Sequence, residues 1–227
     1  MNLPQKVYGV NIAVVTSANS VKTRKAPYHH GDLRNALVEA AVELAHEGGP
    51  AAIVLREAAR RVGVSPNAAY RHFDALPDLI ADVARVALAR MAASMRIELA
   101  KCVPSVDPGL DARENLLAVG RGYVLYALQE PGLFSTAFSC PEETARPEPD
   151  SAQEACTPDG LLHQALNGLV ATGLLNPAEY DAAATTAWAV VHGIALLLLG
   201  PMSEVPPEER TALIDACLKI VGRGLTG

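Results

Sequence analysis

The sequence predicts an all-α protein, with an N-terminal three-helix helix-turn-helix domain followed by a larger C-terminal helical bundle. Three observations carry this. Half of the 227 residues are apolar and only 4% aromatic, with Ala and Leu dominant and little of the β-branched alternation that strands need. Apolar residues recur every three or four positions along most of the chain. Gly63 then Ser65-Pro66 marks the end of one short helix and the start of another: a glycine turn, an N-cap, and proline at the first helical position.

Taken in order, Asp32 caps a first helix whose core face is Leu33, Leu37, Ala40, Ala41, Leu44 and Ala45, and Gly48-Gly49-Pro50 ends it. A second helix spans Leu55 to Val62 and a third Asn67 to Phe73. A long helix follows from about Asp78 to Lys101. Pro104 to Gly109 reads as a linker, and further helices are expected over Asp111–Gln129, a short stretch through Ser139, Gly160–Thr172, Pro177–Leu199 and Pro207–Arg223. Cys140 to Gly160, rich in Pro and Glu, reads as a loop. The domains are residues 1–26, a disordered extension ending in a basic arm; 27–76, the helix-turn-helix unit; and 77–227, the body.

Charge is divided unevenly. Residues 22–90 carry a net +2 and residues 91–227 a net −9, within a total of −6. A mildly basic front and an acidic back suit a polyanion-facing module on a separate body. The cysteines at 102, 140, 156 and 217 show no metal-ligand spacing and read as free thiols of a reducing, cytoplasmic protein. Histidines 29, 30, 46, 72, 163 and 192 form no ligand motif, so neither a metal nor a cofactor is expected. The most apolar stretch, Ala182–Gly200, is interrupted by Thr185, Thr186, Trp188 and His192 and reads as a buried helix, not a membrane span.

The segment LREAARRVGVSPNAAYRHF, Leu55 to Phe73, carries the chemistry. The N-terminus of its second helix offers free N–H groups and partial positive charge to phosphate. Ser65, Pro66, Asn67, Ala68, Tyr70 and Arg71 form the outward face. Asn reads adenine and Arg reads guanine in the major groove, while Tyr70 and His72 suit phosphate contacts, which position the protein without specifying sequence. Arg56 and Arg60 reach toward the backbone one helix earlier, and Lys22, Arg24 and Lys25 form an arm suited to an adjacent minor groove. The competing reading is a helical hairpin without DNA, with Tyr70 and His72 as packing residues.

PYHHGDLRNALVEAAVELAHEGG, the segment above, and LPDLIADVA together resemble the N-terminal domain of TetR/AcrR transcriptional regulators over residues 27 to about 85. AWAVVHG and EPGLFSTAFS resemble the Trp-His-Gly branch of that family. The chain departs at Val54, where the family often places a Ser or Thr cap, which implies a helix start weaker by around 1 kcal/mol. It departs again at Ala69, where a larger apolar residue is usual.

The resemblance implies a homodimer with an effector cavity in each subunit. Cavity candidates are Met91, Met95, Leu117, Tyr123, Tyr126, Phe134, Phe138, Leu166, Trp188 and His192, each with core packing as its competing role. Val191, Ile194, Leu198, Leu213, Cys217 and Val221 are expected at the dimer interface. The implied partners are a double-stranded DNA operator, a small lipophilic effector and a second copy of the chain, with no membrane. The implied function is repression relieved by ligand. A DNA-binding activator without effector is the alternative. An enzyme is disfavoured, because there is no nucleophile elbow, metal cluster or glycine-rich phosphate loop.

Overall fold

The computed structural model describes residues 32–139 and 157–226, which form helices and no strand. The basic arm (Lys22, Arg24, Lys25), His29, His30, Cys140, Cys156 and most of the expected 140–160 loop lie outside the described residues.

Helix α1 spans Asp32–Gly48, α2 Leu55–Val62 and α3 Pro66–Ala69. Helix α4 spans Leu76–Leu99, α5 Pro108–Gln129 and α6 Pro131–Ala137. Helix α7 spans Pro158–Ala171, α8 Tyr180–Leu199 and α9 Pro207–Leu225. Helix α1 packs on α2 and α4, and α3 packs on α2; α4 then runs into the body and packs most extensively against α5. One continuous core joins Leu37, Leu79, Met91, Val124, Leu166 and Ile214.

Proline and a preceding cap set several helix starts. The Ser65 hydroxyl accepts from the Ala68 N–H, Asp107 from the N–H groups of Gly109 and Leu110, and Thr157 from that of Gly160. Each cap is followed by Pro at the first position, whose missing N–H has no intrahelical partner to lose. Helix α5 therefore begins three residues before the expected Asp111, and Pro108-Gly109 is its first turn rather than a linker. Helix α3 ends earlier than expected: Arg71 and His72 close tighter turns onto Ala68 and Ala69.

Two glycines fix close approaches. A methyl on Gly122 would sit 2.4 Å from Met95 Cα, so α4 and α5 touch backbone to backbone there. A methyl on Gly132 would sit 2.1 Å from the Ala45 carbonyl oxygen, seating α6 directly on the end of α1.

The stretch Pro177–Leu199 is long and apolar enough to cross a membrane by length and composition alone, with mean hydropathy 1.8. It is not buried all round. Ala183, Ala187, Val191, Ala195 and Leu198 are buried, while Trp188, Leu196 and Leu197 are exposed.

Candidate functional site

The two short helices meet at Gly63, whose φ of +80° is the left-handed conformation that glycine adopts without strain. Its N–H bonds back to the Ala59 carbonyl. Val54 stands at the N-cap of α2 with no side-chain hydrogen bond, as the sequence implied. Ala58, Ala59, Val62 and Ala69 are buried. Ala69 is completely buried, so the small residue sets how closely α3 lies on the rest of the module.

Packing these residues inward turns Ser65, Pro66, Asn67, Tyr70 and Arg71 outward, all exposed, with Ala68 and His72 half-buried. The basic residues divide into two groups. Arg60 is tied to Glu57 by two hydrogen bonds, at 2.6 and 2.8 Å, and this pairing holds the Glu57 carboxyl down at about 2. Arg61 is clamped by Glu47, at 2.7 and 2.8 Å, with Glu57 and Glu43 nearby. Arg56 and Arg71 have no acidic partner among the described residues. They are the cations of the module left available to phosphate or base, and the Glu57–Arg60 spacing on α2 was the sequence signal that Arg60 is engaged.

Arg34 holds the module to α4. Its guanidinium donates to the His72 carbonyl at 2.8 Å and to Asp82 at 2.6 Å, and lies 4.3 Å over the Phe73 ring. Asp82 is also bonded by Arg85. Sequence reading did not single out Arg34; no local pattern marks a contact spanning 38 and 48 positions.

The body holds an aromatic cluster. Tyr123, Phe134, Phe138, Trp188 and His192 converge with ring centroids 4.9–6.4 Å apart. The Tyr123 hydroxyl lies 2.9 Å from His192 Nδ1. Burial pushes the Tyr123 hydroxyl well above its usual range, opposed by a smaller contribution from a hydrogen bond with Trp188. Burial also lowers the His192 pKa, favouring the neutral ring. A neutral His192 accepting at Nδ1 carries its hydrogen on Nε2, a donor at the edge of the cluster.

Met91, Met95, Tyr126 and Leu166 are buried in the surrounding core. Among the described residues the Tyr126 hydroxyl is buried with no hydrogen-bond partner. Leu117 lies apart from the rings, in a groove between α5 and α9. Of the residues expected at the dimer interface, Val191 and Leu198 are buried within the single chain, and Ile194, Leu213, Cys217 and Val221 are half-buried. The exposed large apolar side chains of these two helices are Trp188 (45%), Leu196, Leu197 and Ile220 (62%). Among the described residues no group of His, Cys, Asp and Glu could hold a metal.

A helix-turn-helix unit with an exposed short second helix, set on a larger helical bundle, defines a helix-turn-helix DNA-binding regulator. Residues 37–83 match the family described as bacterial regulatory proteins, tetR family. Residues 116–221 match the tetracyclin repressor-like C-terminal domain. The chain thus carries both domains of tetR-family regulators, which are DNA-binding proteins and not enzymes.

No curated protein matches the sequence. Among solved structures, a protein of unknown function from Rhodococcus sp. RHA1 is 26% identical with a TM-score of 0.69, covering 89% of this chain and 100% of its own. FadR from Bacillus subtilis, solved with stearoyl-CoA, is 14% identical with a TM-score of 0.61, covering 84% and 98%. A point variant of TetR from Acinetobacter baumannii, solved with minocycline, is 20% identical with a TM-score of 0.53, covering 84% and 94%. The last two likenesses show the shared fold.

Proposed function

We propose that this protein is a dimeric repressor that leaves a pseudo-palindromic operator when a small lipophilic ligand enters the body. The observation that carries the DNA half is the outward face of α3. Ser65, Pro66, Asn67, Ala68, Tyr70, Arg71 and His72 stand at the capped helix start, with Arg56 one helix earlier, and neither arginine has an acidic partner among the described residues. Asn67 and Arg71 read base edges, while Arg56, Tyr70 and His72 hold phosphates, joined by Lys22, Arg24 and Lys25. The domain boundaries we assign are 27–76 for the DNA module and 77–227 for the body, with 1–26 as the arm.

The ligand half rests on the aromatic cluster. Tyr123, Phe134, Phe138, Trp188 and His192 offer ring faces and one N–H donor, and Met91, Met95, Tyr126 and Leu166 supply an apolar surround. Such a site suits a flat, uncharged molecule with one hydrogen-bond acceptor. The Trp188, His192 and Gly193 triplet supports placement in the Trp-His-Gly branch. The complexes of FadR with stearoyl-CoA and TetR with minocycline support effector binding in this fold.

The dimer half rests on the exposed apolar face of α8 and α9. Ile194, Leu213, Cys217 and Val221 flank it, and Trp188, Leu196 and Leu197 extend it. Pairing two copies covers a face too apolar for water and sets two α3 helices about one DNA turn, roughly 34 Å, apart. A cytoplasmic location follows from this reading. Selection from random duplex DNA tests it. An inverted repeat with half-sites one turn apart is expected, and failure to enrich any sequence contradicts it.

A further inference from the structure

The body from residue 91 onward carries a net charge of −9, yet its described surface holds a cluster of cations without carboxylate partners. Arg121 is paired with Asp215 and Glu98, Lys101 with Glu98, and Arg210 donates to the carbonyls of Val205 and Ser203. Arg113, Lys219 and Arg223 meet no carboxylate among the described residues. All three line the same groove, a half-open slot of about 400 Å³ between α5 and α9.

The wall between these cations is apolar, formed chiefly by Leu116, Leu117 and Ile220. Only Arg113 has a tether there, a weak 3.3 Å hydrogen bond to the Thr226 hydroxyl. Like charges gathered on one slot repel, and an anion seated among them removes that cost. An inorganic anion would leave the aliphatic wall wet; a neutral lipid would leave the cations unpaired. The slot is concave and lies between two helices, so it lodges a single chain rather than lying flat on a bilayer.

We propose that this groove is a second small-molecule site, separate from the aromatic cluster, which binds a long-chain aliphatic carboxylate. The chain lies along Leu116, Leu117 and Ile220, and the carboxylate is held by Arg113, Lys219 and Arg223. This goes beyond the effector reading and does not depend on operator binding.

The test is calorimetric titration of the full chain with sodium dodecanoate below its micelle concentration, with dodecanol, acetate and anionic vesicles as comparison probes. Two variants are used, Arg113→Glu on α5 and Lys219→Glu/Arg223→Glu on α9. All three positions are exposed on helix surfaces, and far-UV circular dichroism confirms that helicity is kept. One saturable site per chain is expected, weakened at least tenfold in each variant, with dodecanol and acetate at least tenfold weaker than dodecanoate. Undiminished affinity in either variant overturns the proposal, because the chain then lodges elsewhere. Equal affinity for dodecanol, binding to anionic vesicles only, or no saturable binding overturns it as well.

Discussion

Glu130 Oε2 lies 2.6 Å from His46 Nδ1, joining the end of α1 to the junction of α5 and α6. Two residues further, Gly132 rests on the carbonyls of Ala45 and His46. The DNA module and the body therefore meet at a backbone-to-backbone contact beside a side-chain hydrogen bond, next to the continuous helix α4. Any shift of α6, whose Phe134 belongs to the aromatic cluster, is passed to α1 through this contact.

Gly132→Ala places a methyl group against backbone atoms that cannot turn aside. A loss of about 1–3 kcal/mol is expected, read as a melting temperature lower by about 2–4 °C per kcal/mol. An unchanged melt contradicts so close a contact.

Substitutions on the DNA face should separate by role. Arg71→Ala is expected to weaken operator binding by about 1–3 kcal/mol and relax sequence preference at one position. Arg56→Ala should weaken binding evenly across sequences and reduce the salt dependence by about one phosphate contact. Arg60→Ala should do less than either, since its guanidinium is held by Glu57. Binding titrations on operator and scrambled DNA distinguish the three, and an Arg60 effect equal to that of Arg71 contradicts the division.

Stability should depend on pH through the aromatic cluster. The His192 pKa is lowered by burial, so the unfolded chain binds the proton more readily and stability is lost as pH falls below 6.5, its ordinary value. The Tyr123 hydroxyl is raised by burial from its ordinary value of 10, so its contribution is complete below pH 10 and is lost as pH rises above that. Thermal melts across pH should show a plateau between these limits. Tyr123→Phe should flatten the alkaline fall; an unaltered fall places its cause in other groups, such as Tyr126.

Arg121 bridges α5 to Asp215 on α9 and to the buried Glu98 on α4. Arg121→Ala leaves Glu98 with Lys101 as its cation. Because Arg121 is partly exposed, a cost of about 1–2 kcal/mol is expected, below the roughly 3–5 kcal/mol of a fully buried broken pair. Chemical denaturation measures it, and a neutral result would show that water screens the pair.

The sequence was most informative where a local rule decides the structure. Helix α2 has the expected ends because Gly63 can turn left-handed and Leu55 opens the apolar stripe. Ser65-Pro66 announced α3, and the same signature at Asp107-Pro108 and Thr157-Pro158 sets the starts of α5 and α7, ahead of the expected ends. The length of α3 was less legible, because Tyr70, Arg71 and His72 leave the helix when Phe73 is drawn inward and Arg34 ties down the His72 carbonyl. The meeting of Tyr123 with His192, 69 positions apart, follows from the packing of α5 on α8. Resemblance suggested both residues, but spacing could not pair them or send Leu117 to a different groove. The burial of Val191 and Leu198 within one chain was equally hidden, since an apolar stripe does not say which neighbour covers it.

On this account the outward face of α3 reads a specific operator. Fluorescence anisotropy of the purified protein on DNA upstream of its own gene, against scrambled DNA at two salt concentrations, tests it most directly. Tight binding to the upstream DNA that persists at the higher salt, and is lost in Arg71→Ala, is the predicted result. Weak binding to both DNAs that disappears with salt, or binding indifferent to Arg71, would contradict it.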